Sequence, residues 1–307
     1  MPIKMPNGVH QSIAIGIDLG GTRIKAGVLR ADGRILLRRT IPTEAGNGPD
    51  HVINRMVELA RSMATDPKLG NGVLAGIGLG SPGTLSQRNG LIIAPPNLPR
   101  WSNVPIVQRI RDATGMRTLL ENDGNAAAWG EFTAGAGKGA GDLVMMTFGT
   151  GIGGGIIVNG AIHRGHFENG AELGHMIIRP GGELCRCGQR GCFEAYASAA
   201  HIVRRVREAI DAGEASSCAE LLQQRKTLET PDVIAAAQAG DALAARIWDE
   251  ACQSIAIACI NMQHVIDPQL IILAGGMAAA GEPLLTSVCA SFDELNWNAL
   301  TARPEIC

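Results

Sequence analysis

A group of metal-binding residue types lies between Glu172 and Glu194. It contains one histidine and three cysteines within eighteen residues: His175, Cys185, Cys187 and Cys192. This is the ligand count of a closed tetrahedral zinc site, which has no open position for water and is therefore structural. The glycines between the cysteines allow the tight turns that such a site needs. The pattern predicts a structural Zn²⁺ site.

Two other interpretations of these cysteines remain. They are either unconnected core and surface residues, or they form disulfides. The spacing and the intervening glycines favour a metal site over the first interpretation. The remaining cysteines lie scattered through mostly apolar segments, which is typical of buried free thiols in a reduced protein: Cys218, Cys252, Cys259, Cys289 and Cys307.

Carboxylates flank the predicted zinc ligands on both sides. Glu172 lies one helical turn before His175, and Glu194 lies two residues after Cys192. A bound metal would hold both carboxylates in fixed positions beside the imidazole. The histidine can bind the metal through one ring nitrogen and offer the other to a ligand hydroxyl. We therefore expect a polar wall braced by zinc.

Gly/Thr turns between strands expose backbone N–H groups that can bind phosphate oxygens. The first such turn is Gly20-Gly21-Thr22, which follows Asp18, a carboxylate that can position Mg²⁺ or its waters. The second is Thr150-Gly151. Either turn alone is most simply a turn, but the pair predicts a grip on one phosphate chain from two sides. Gly275-Gly276 is either a plain strand-to-helix turn or a place where a ligand approaches the backbone.

A carboxylate and two amides complete the candidate residues. Asp123 follows Asn122 after a short predicted strand. It can accept a proton from a hydroxyl nucleophile, as phosphoryl transfer requires, or it can cap the following helix. Asn97, in Pro95-Pro96-Asn97-Leu98, is either a turn residue or a polar contact to a sugar.

Composition limits the class of protein. The 307 residues are enough for two domains, and 46% hydrophobic with 18% charged residues indicates a globular chain. The net charge of −2 and the 3% aromatic content give no support for nucleic-acid or membrane binding. Because no apolar run has signal-peptide or transmembrane length, we expect a cytoplasmic protein.

The elements that must position these residues follow from hydrophobic patterning. A strand, a Gly/Thr turn and a returning strand occupy 12–30, and the same plan recurs at 143–159 around a glycine loop at 149–155. This repeat predicts a duplicated α/β domain with a cleft between the copies. We place the boundary at 121, giving a small domain at 1–121 and a large domain with the zinc site at 122–307. Helices are predicted at 51–64, 104–114, 125–134, 199–212, 231–239 and 242–265, and from about 283.

Together these motifs resemble the ROK family (repressors, open reading frames, kinases) of sugar kinases. The resemblance covers nearly the whole chain and includes both phosphate motifs, the catalytic segment at 121–128, an adenosine motif at 271–276 and the zinc motif. It implies an α/β two-domain actin-like ATPase/hexokinase fold of the ribonuclease H-like type, with the active-site cleft between the domains. It also implies a homodimer.

The resemblance further implies a mechanism. Asp123 would be the general base that takes the proton from the sugar hydroxyl, normally on C6, as that oxygen attacks the γ-phosphate of Mg·ATP. The sugar ring would be held by a set of polar side chains: Asn97, Asn122, Glu172, His175 and Glu194. ATP would be bound by Asp18 and the two phosphate turns, and its adenosine by Gly275-Gly276.

Several functions fit this resemblance. The leading one is an ATP-dependent glucokinase of carbohydrate metabolism and glycolysis, while an N-acetylmannosamine or N-acetylglucosamine kinase differs only in the room around C2. Family repressors carry an N-terminal helix-turn-helix domain, which we do not expect because the first motif begins at Asp18. The presence of both Asp18 and Asp123 argues against a sugar sensor without catalysis, which would need neither.

The chain departs from the family pattern at two places. Gly124 stands in the catalytic segment where the family commonly carries a bulkier residue. Family members also usually continue past the position of Cys307 through a Gly/Ala-rich helix that packs back on the fold.

Overall fold

The computed structural model describes residues 12–297, 299–300 and 302–307. The chain divides into two compact units, one of residues up to Gly135 with Arg164–Gly170, and one of Ala136–His163 with Ala171–Cys307. This division falls fourteen residues after the predicted boundary at 121. The reason is that the helix starting at Asp123 continues directly from the last strand of the first unit and packs back on its sheet. A Cβ placed on Gly80 would lie 3.7 Å from that of Ala126.

The first unit contains a five-stranded sheet in the order β3-β2-β1-β4-β7. β1, β4 and β7 are parallel, while β2 and β3 run antiparallel to their neighbours. The same unit contains a two-stranded hairpin of β5 and β6. The bounds of these strands are β1 (Ser12–Leu19), β2 (Arg23–Arg30), β3 (Ile35–Pro42), β4 (Val73–Ser81), β5 (Thr84–Ser86), β6 (Leu91–Ala94) and β7 (Thr118–Asn122).

The described part of the first unit has three α-helices: α1 (Pro49–Ala64), α2 (Ile106–Thr114) and α3 (Asp123–Ala134). α1 starts with Pro49 at its first position, where the missing N–H costs no hydrogen bond. Its buried residues recur at helical spacing and pack with the alternate buried residues of β1, such as Ile13 and Ile15. The core therefore lies between α1 and one face of the sheet.

The second unit repeats the strand arrangement of the first. Its sheet has the order β10-β9-β8-β11-β12, with β8, β11 and β12 parallel and the other two strands antiparallel. This confirms the predicted duplication of one α/β plan. The strands are β8 (Leu143–Phe148), β9 (Ile152–Val158), β10 (Ala161–Ile162), β11 (Leu270–Gly275) and β12 (Glu305–Ile306).

Among the residues that the structure describes, six α-helices follow the zinc motif in the second unit: α4 (Glu194–Ala197), α5 (Ala199–Asp211), α6 (Cys218–Arg225), α7 (Thr230–Gln238), α8 (Ala242–Ile266) and α9 (Glu282–Leu295). The long α8 is capped by Asp241, whose side chain accepts from the Ala244 N–H, and buries apolar residues along most of its length. Within the described ranges, no helix is both long and apolar enough to cross a membrane.

The second glycine segment was predicted as a loop over 149–155, and this is wrong for its last residues. β9 begins at Ile152, so Gly153, Gly154 and Gly155 pair with β8 as strand residues. Glycine is needed there for packing, because a Cβ on Gly154 would lie 2.6 Å from Leu173 Cδ1. Only the short turn before Ile152 remains as a loop.

Candidate functional site

In the first unit, the Gly20-Gly21 turn joins β1 to β2 and lies against Asn97. The turn is closed by a hydrogen bond from Gly20 N to Arg23 O, with 3.1 Å between the atoms. A Cβ on Gly21 would lie 2.7 Å from Asn97 Cβ and 2.9 Å from its carbonyl oxygen. Glycine at 21 therefore permits the close approach of two candidate residues. Thr22 is exposed at the end of this turn.

Asp18 lies at the exposed end of β1, two residues before Gly20. It pairs across the strands with Lys25 of β2, whose Nζ lies 3.5 Å from Asp18 Oδ2. Both side chains are exposed, so the pair contributes little to stability. The carboxylate and the ammonium remain accessible to a ligand.

Asn122 and Asp123 occupy the junction between β7 and α3. Asn122 is the N-cap of the helix, and its Oδ1 accepts from Asn125 N at 3.1 Å. The cap of α3 is therefore Asn122, and not Asp123 as in the alternative considered above. Asp123 is the first residue of the helix, with Oδ1 accepting from Gly124 N at 2.9 Å. Its carboxyl group is therefore oriented by the helix start.

The environment of Asp123 raises the pKa of its carboxyl group. Although the residue is exposed, the surrounding protein removes part of its hydration, which is the largest cause. The hydrogen bond from Gly124 N opposes this shift, and the negative charge of Asp18 adds to it. A carboxylate with a raised pKa is a stronger proton acceptor than an ordinary aspartate.

In the second unit, the four predicted zinc ligands converge. The ligand atoms of His175, Cys185, Cys187 and Cys192 all lie within 4.8 Å of one another. The two sulfur atoms of Cys187 and Cys192 are 3.7 Å apart, and two sulfur ligands of a tetrahedral zinc ion lie about 3.8 Å apart. The donor set and its spacing therefore fit Zn²⁺.

The thiols of this cluster favour metal binding in a second way. Burial raises the pKa of Cys185 to about 12 and also raises the pKa of Cys192. Without a cation these thiols would remain protonated, whereas a dication stabilises the thiolates and releases their protons. Without a metal, the buried thiols of Cys185 and Cys192 would lie beside the exposed thiol of Cys187.

His175 and Glu172 belong to one short turn beside the cluster. The turn is a 3₁₀ helix, Leu173–His175, preceded by Glu172, whose carbonyl oxygen accepts from His175 N at 3.0 Å. Nδ1 of His175 lies 3.9 Å from Cys185 Sγ, which is the metal side of the ring. Nε2 is therefore the nitrogen available to a ligand hydroxyl, and Glu172 is exposed nearby in the chain.

Glu194 connects the zinc cluster with the second Gly/Thr turn. Its Oε2 accepts a hydrogen bond from Ile152 N at 2.8 Å, and its Oε1 lies 3.5 Å from Cys185 Sγ. Gly151 approaches so closely that a Cβ there would overlap Oε2 of Glu194. Thr150 is exposed at the tip of the turn. Glu194 therefore lies beside the Thr150-Gly151 turn.

Gly275 and Gly276 have different local explanations. Gly275 ends β11 with a positive φ of 90°, and a Cβ there would lie 2.7 Å from Phe148 N on β8. Strand packing alone thus requires glycine at 275. Gly276 has only one atom near its hypothetical Cβ, Phe148 O at 4.0 Å, so its backbone is open to a ligand.

Two contacts of the site were not predicted from the sequence. One is the acceptor role of Glu194 toward Ile152 N, which joins residues 42 positions apart. The other is the set of hydrogen bonds that Glu121, the residue before Asn122, accepts from the side chains of Gln87, Asn125 and Arg164. One signal in the sequence pointed to a role of Glu121, which is its position immediately before Asn122. Two of its side-chain partners, Gln87 and Arg164, are distant in sequence.

Comparison with known proteins places the chain in a family. The ROK family model matches residues 14–306. The glucokinase of Thermotoga maritima is 39% identical over 270 residues, covering 88% of this chain and 84% of that protein.

Two crystal structures share the fold. A ROK hexokinase from Thermus thermophilus has a TM-score of 0.81 at 32% identity, covering 96% of this chain and 92% of that one. A ROK family glucokinase from Streptomyces griseus, in complex with glucose and AMPPNP, has a TM-score of 0.78 at 30% identity, with coverage of 96% and 93%. The fold is the two-domain actin-like ATPase fold of these kinases. Since the family model spans nearly the entire chain, this protein belongs to the ROK family.

Proposed function

We propose that this chain is an ATP-dependent hexose kinase that phosphorylates the 6-hydroxyl of glucose. The observation that carries the proposal is Asp123, a carboxylate at the start of α3 whose pKa is raised by partial loss of hydration and by Asp18. Membership of the ROK family and the similarity to a glucokinase over most of the chain support the same reaction.

The proposed step needs one proton acceptor. The carboxylate of Asp123 takes the proton of the C6 hydroxyl as its oxygen forms a bond to the γ-phosphorus of ATP. The bond from that phosphorus to the bridging oxygen of ADP breaks, and the electron pair leaves with ADP. Mg²⁺, held by the phosphates and positioned through Asp18, would neutralise charge on the phosphate oxygens.

The remaining candidate residues have binding roles in this proposal. The turns at Gly20-Gly21-Thr22 and Thr150-Gly151 would bind phosphate oxygens through their N–H and hydroxyl groups. Gly276 leaves the backbone after β11 open to the adenosine, while Gly275 shapes the strand end.

Hydroxyl groups of the sugar would be bound by polar side chains. His175 would use Nε2, because its Nδ1 faces the zinc ligands. The exposed Glu172 and Asn97 are accessible to hydroxyls. Glu194 has one oxygen on Ile152 N, so it would bind sugar through the remaining acceptor capacity of its carboxylate. Asn122 would use its amide N–H, since its oxygen caps α3.

The Cys3His cluster would hold a structural Zn²⁺ that orients His175 and Glu194. The ion takes no part in phosphoryl transfer in this proposal, because four protein ligands leave it no open position. The homodimer implied by the resemblance stays a prediction, which light scattering after size-exclusion chromatography would check.

A coupled assay of ADP release with Mg·ATP tests the proposal. Glucose, N-acetylmannosamine, N-acetylglucosamine, mannose and fructose should be compared at matched concentrations. We expect the highest kcat/KM with glucose. A preference for an N-acetyl sugar would assign the protein to the alternative kinase class, and binding of a sugar without turnover would indicate a sensor.

A further inference from the structure

A ring of polar contacts surrounds Glu121, the residue before Asn122 and Asp123. All of its members lie in the first unit, and they come from three separated segments. These are the end of β7, the turn between β5 and β6, and the loop 164–170, which the chain contributes to this unit between two stretches of the second.

Glu121 uses both carboxylate oxygens. Oε1 accepts from Asn122 N at 2.9 Å and from the side-chain amides of Gln87 and Asn125 at 3.1 Å each. Oε2 accepts from Nε of Arg164 at 2.8 Å and pairs with its Nη2 at 2.6 Å. The side chain is only 16% exposed. Five contacts on one partly buried carboxylate exceed what an ordinary surface ion pair has.

The loop that supplies Arg164 is itself fixed. Its ends are closed by Gly170 N donating to Arg164 O at 2.8 Å. Within the loop, Glu168 accepts from Ser86 Oγ at 3.1 Å and from Arg88 N at 3.0 Å. Because Gln87 lies between these two residues and donates to Glu121, the contacts form a closed ring.

The ring acts on both sides of Asp123 in the sequence. Glu121 accepts from the N–H of Asn122 and from the side chain of Asn125, which is 2% exposed. Asn122 in turn caps α3 by accepting from Asn125 N. The first turn of α3 is thus attached to Glu121 at the residue before Asp123 and at a residue after it.

We infer that Glu121 is a positioning residue, which with Arg164 holds Asn122 and Asp123 in their reactive geometry. The expected effect on turnover rests on the proposed function. The role of Glu121 in holding the first turn of α3 does not depend on that function. Glu121 touches neither substrate in the proposal and acts through its neighbours. A displacement of about 1 Å at a reacting group can lower a rate about 100-fold.

The test uses Glu121→Gln and Arg164→Met in the full chain. Each removes the charge pairing, and Glu121→Gln keeps an oxygen acceptor. We expect kcat for the preferred sugar to fall at least about tenfold, with KM for ATP changed less than about twofold. Arg164→Lys should recover part of the loss. The double variant should be no worse than the poorer single variant, because both break one contact.

Arg39→Met provides the matched control. Arg39 pairs with Asp66 at 2.7 Å, also in the first unit, and Asp66 is 12% exposed. This control removes a similar ion pair away from Asp123, so it reports the general cost of such a loss. Wild-type kcat in both Glu121→Gln and Arg164→Met, or an equal loss in Arg39→Met, would overturn the inference.

Amide hydrogen exchange separates this inference from the proposed function. Peptides covering 121–126 should exchange faster in Glu121→Gln and Arg164→Met than in the wild type, and Arg39→Met should leave them unchanged. Unchanged exchange in both variants would overturn the positioning role even in an active enzyme. Faster exchange in a protein that phosphorylates no sugar would support the positioning role while removing the kinase assignment.

Discussion

The backbone N–H of Ile152 donates a hydrogen bond to Oε2 of Glu194, with 2.8 Å between the two atoms. Glu194 is 8% exposed, and its other oxygen lies 3.5 Å from Sγ of the zinc-ligand candidate Cys185. One buried carboxylate therefore connects the Cys3His cluster with the residue that follows the Thr150-Gly151 turn. The geometry of the turn and that of the cluster depend on the same side chain.

Gly151→Ala tests how tightly this connection is packed. The added Cβ would overlap Oε2 of Glu194, so Glu194 or the turn must move. We expect a loss of about 1–3 kcal/mol in the free energy of unfolding, as for overpacked sites. Urea denaturation followed by circular dichroism measures it.

Gly149→Ala is the control for this substitution. It lies in the same turn, and nothing is within 4 Å of a Cβ built there. Its free energy of unfolding should stay within about 1 kcal/mol of the wild type. Equal stability of the Gly151 and Gly149 variants would show that the turn tolerates a side chain beside Glu194.

Much of the fold could be predicted because its signals are local. The alternation of buried and less buried residues in β1 and the repeated strand–turn–strand plan indicated a duplicated α/β architecture. The equivalent strand orders of the two five-stranded sheets confirm it. The glycines of β9 misled the prediction because glycine-rich sequence usually indicates a loop. Here Gly154 faces Leu173, which lies nineteen positions away in the chain, and no local pattern contains that contact.

The candidate site shows the same limit. The zinc cluster could be predicted because three of its ligands lie within eight residues and all four are chemically distinctive. The ring around Glu121 could not, since Gln87 and Arg164 are 34 and 43 positions from it. Short polar elements such as α6 were missed because eight residues between loops give little periodicity.

Zinc binding is expected to stabilise the fold as well as to orient His175 and Glu194. Metal analysis of the purified protein should find about one zinc per chain. Cys187→Ser should lower this content and decrease Tm by roughly 5 °C or more, because binding energy of a structural metal is folding energy. Inductively coupled plasma mass spectrometry and differential scanning calorimetry give the two values.

Cys289→Ser is the matched control for the zinc prediction. Cys289 lies on α9, outside the ligand cluster, and is partly buried. The zinc content of the Cys289→Ser variant should equal that of the wild type. A wild-type protein without zinc, or full zinc content and unchanged Tm in Cys187→Ser, would contradict the assignment of the cluster.

Asp123→Asn should remove the proton acceptor while keeping the shape of the side chain. We expect turnover to fall by about 10²–10⁴-fold, the usual contribution of a general base, with sugar affinity nearly unchanged. The coupled ADP assay and isothermal titration with the sugar measure the two quantities. Asp112→Asn, an exposed change on α2, should have wild-type turnover, and near-wild-type turnover in Asp123→Asn would remove the general-base role.

The raised pKa of Asp123 has a consequence for stability as well as for activity. A carboxyl group whose pKa is higher in the folded than in the unfolded state contributes stability below its unfolded pKa, and this contribution is lost as pH rises through the folded pKa. At neutral pH the ionised Asp123 therefore opposes folding. Asp123→Asn should unfold at a slightly higher urea concentration than the wild type at pH 7, and the difference should disappear near pH 3.

Titration of Asp123 by carbon-13 NMR tests the cause directly. We expect its pKa to lie above 3.8, because lost hydration and the charge of Asp18 both disfavour the carboxylate. Asp18→Asn removes one negative charge and should move the pKa of Asp123 downward. Asp32→Asn, in the turn between β2 and β3, should leave it unchanged. If Asp123 titrates at or below 3.8 in the wild type, then its environment does not raise the pKa of its carboxyl group, and the stated effect of lost hydration and of Asp18 is wrong.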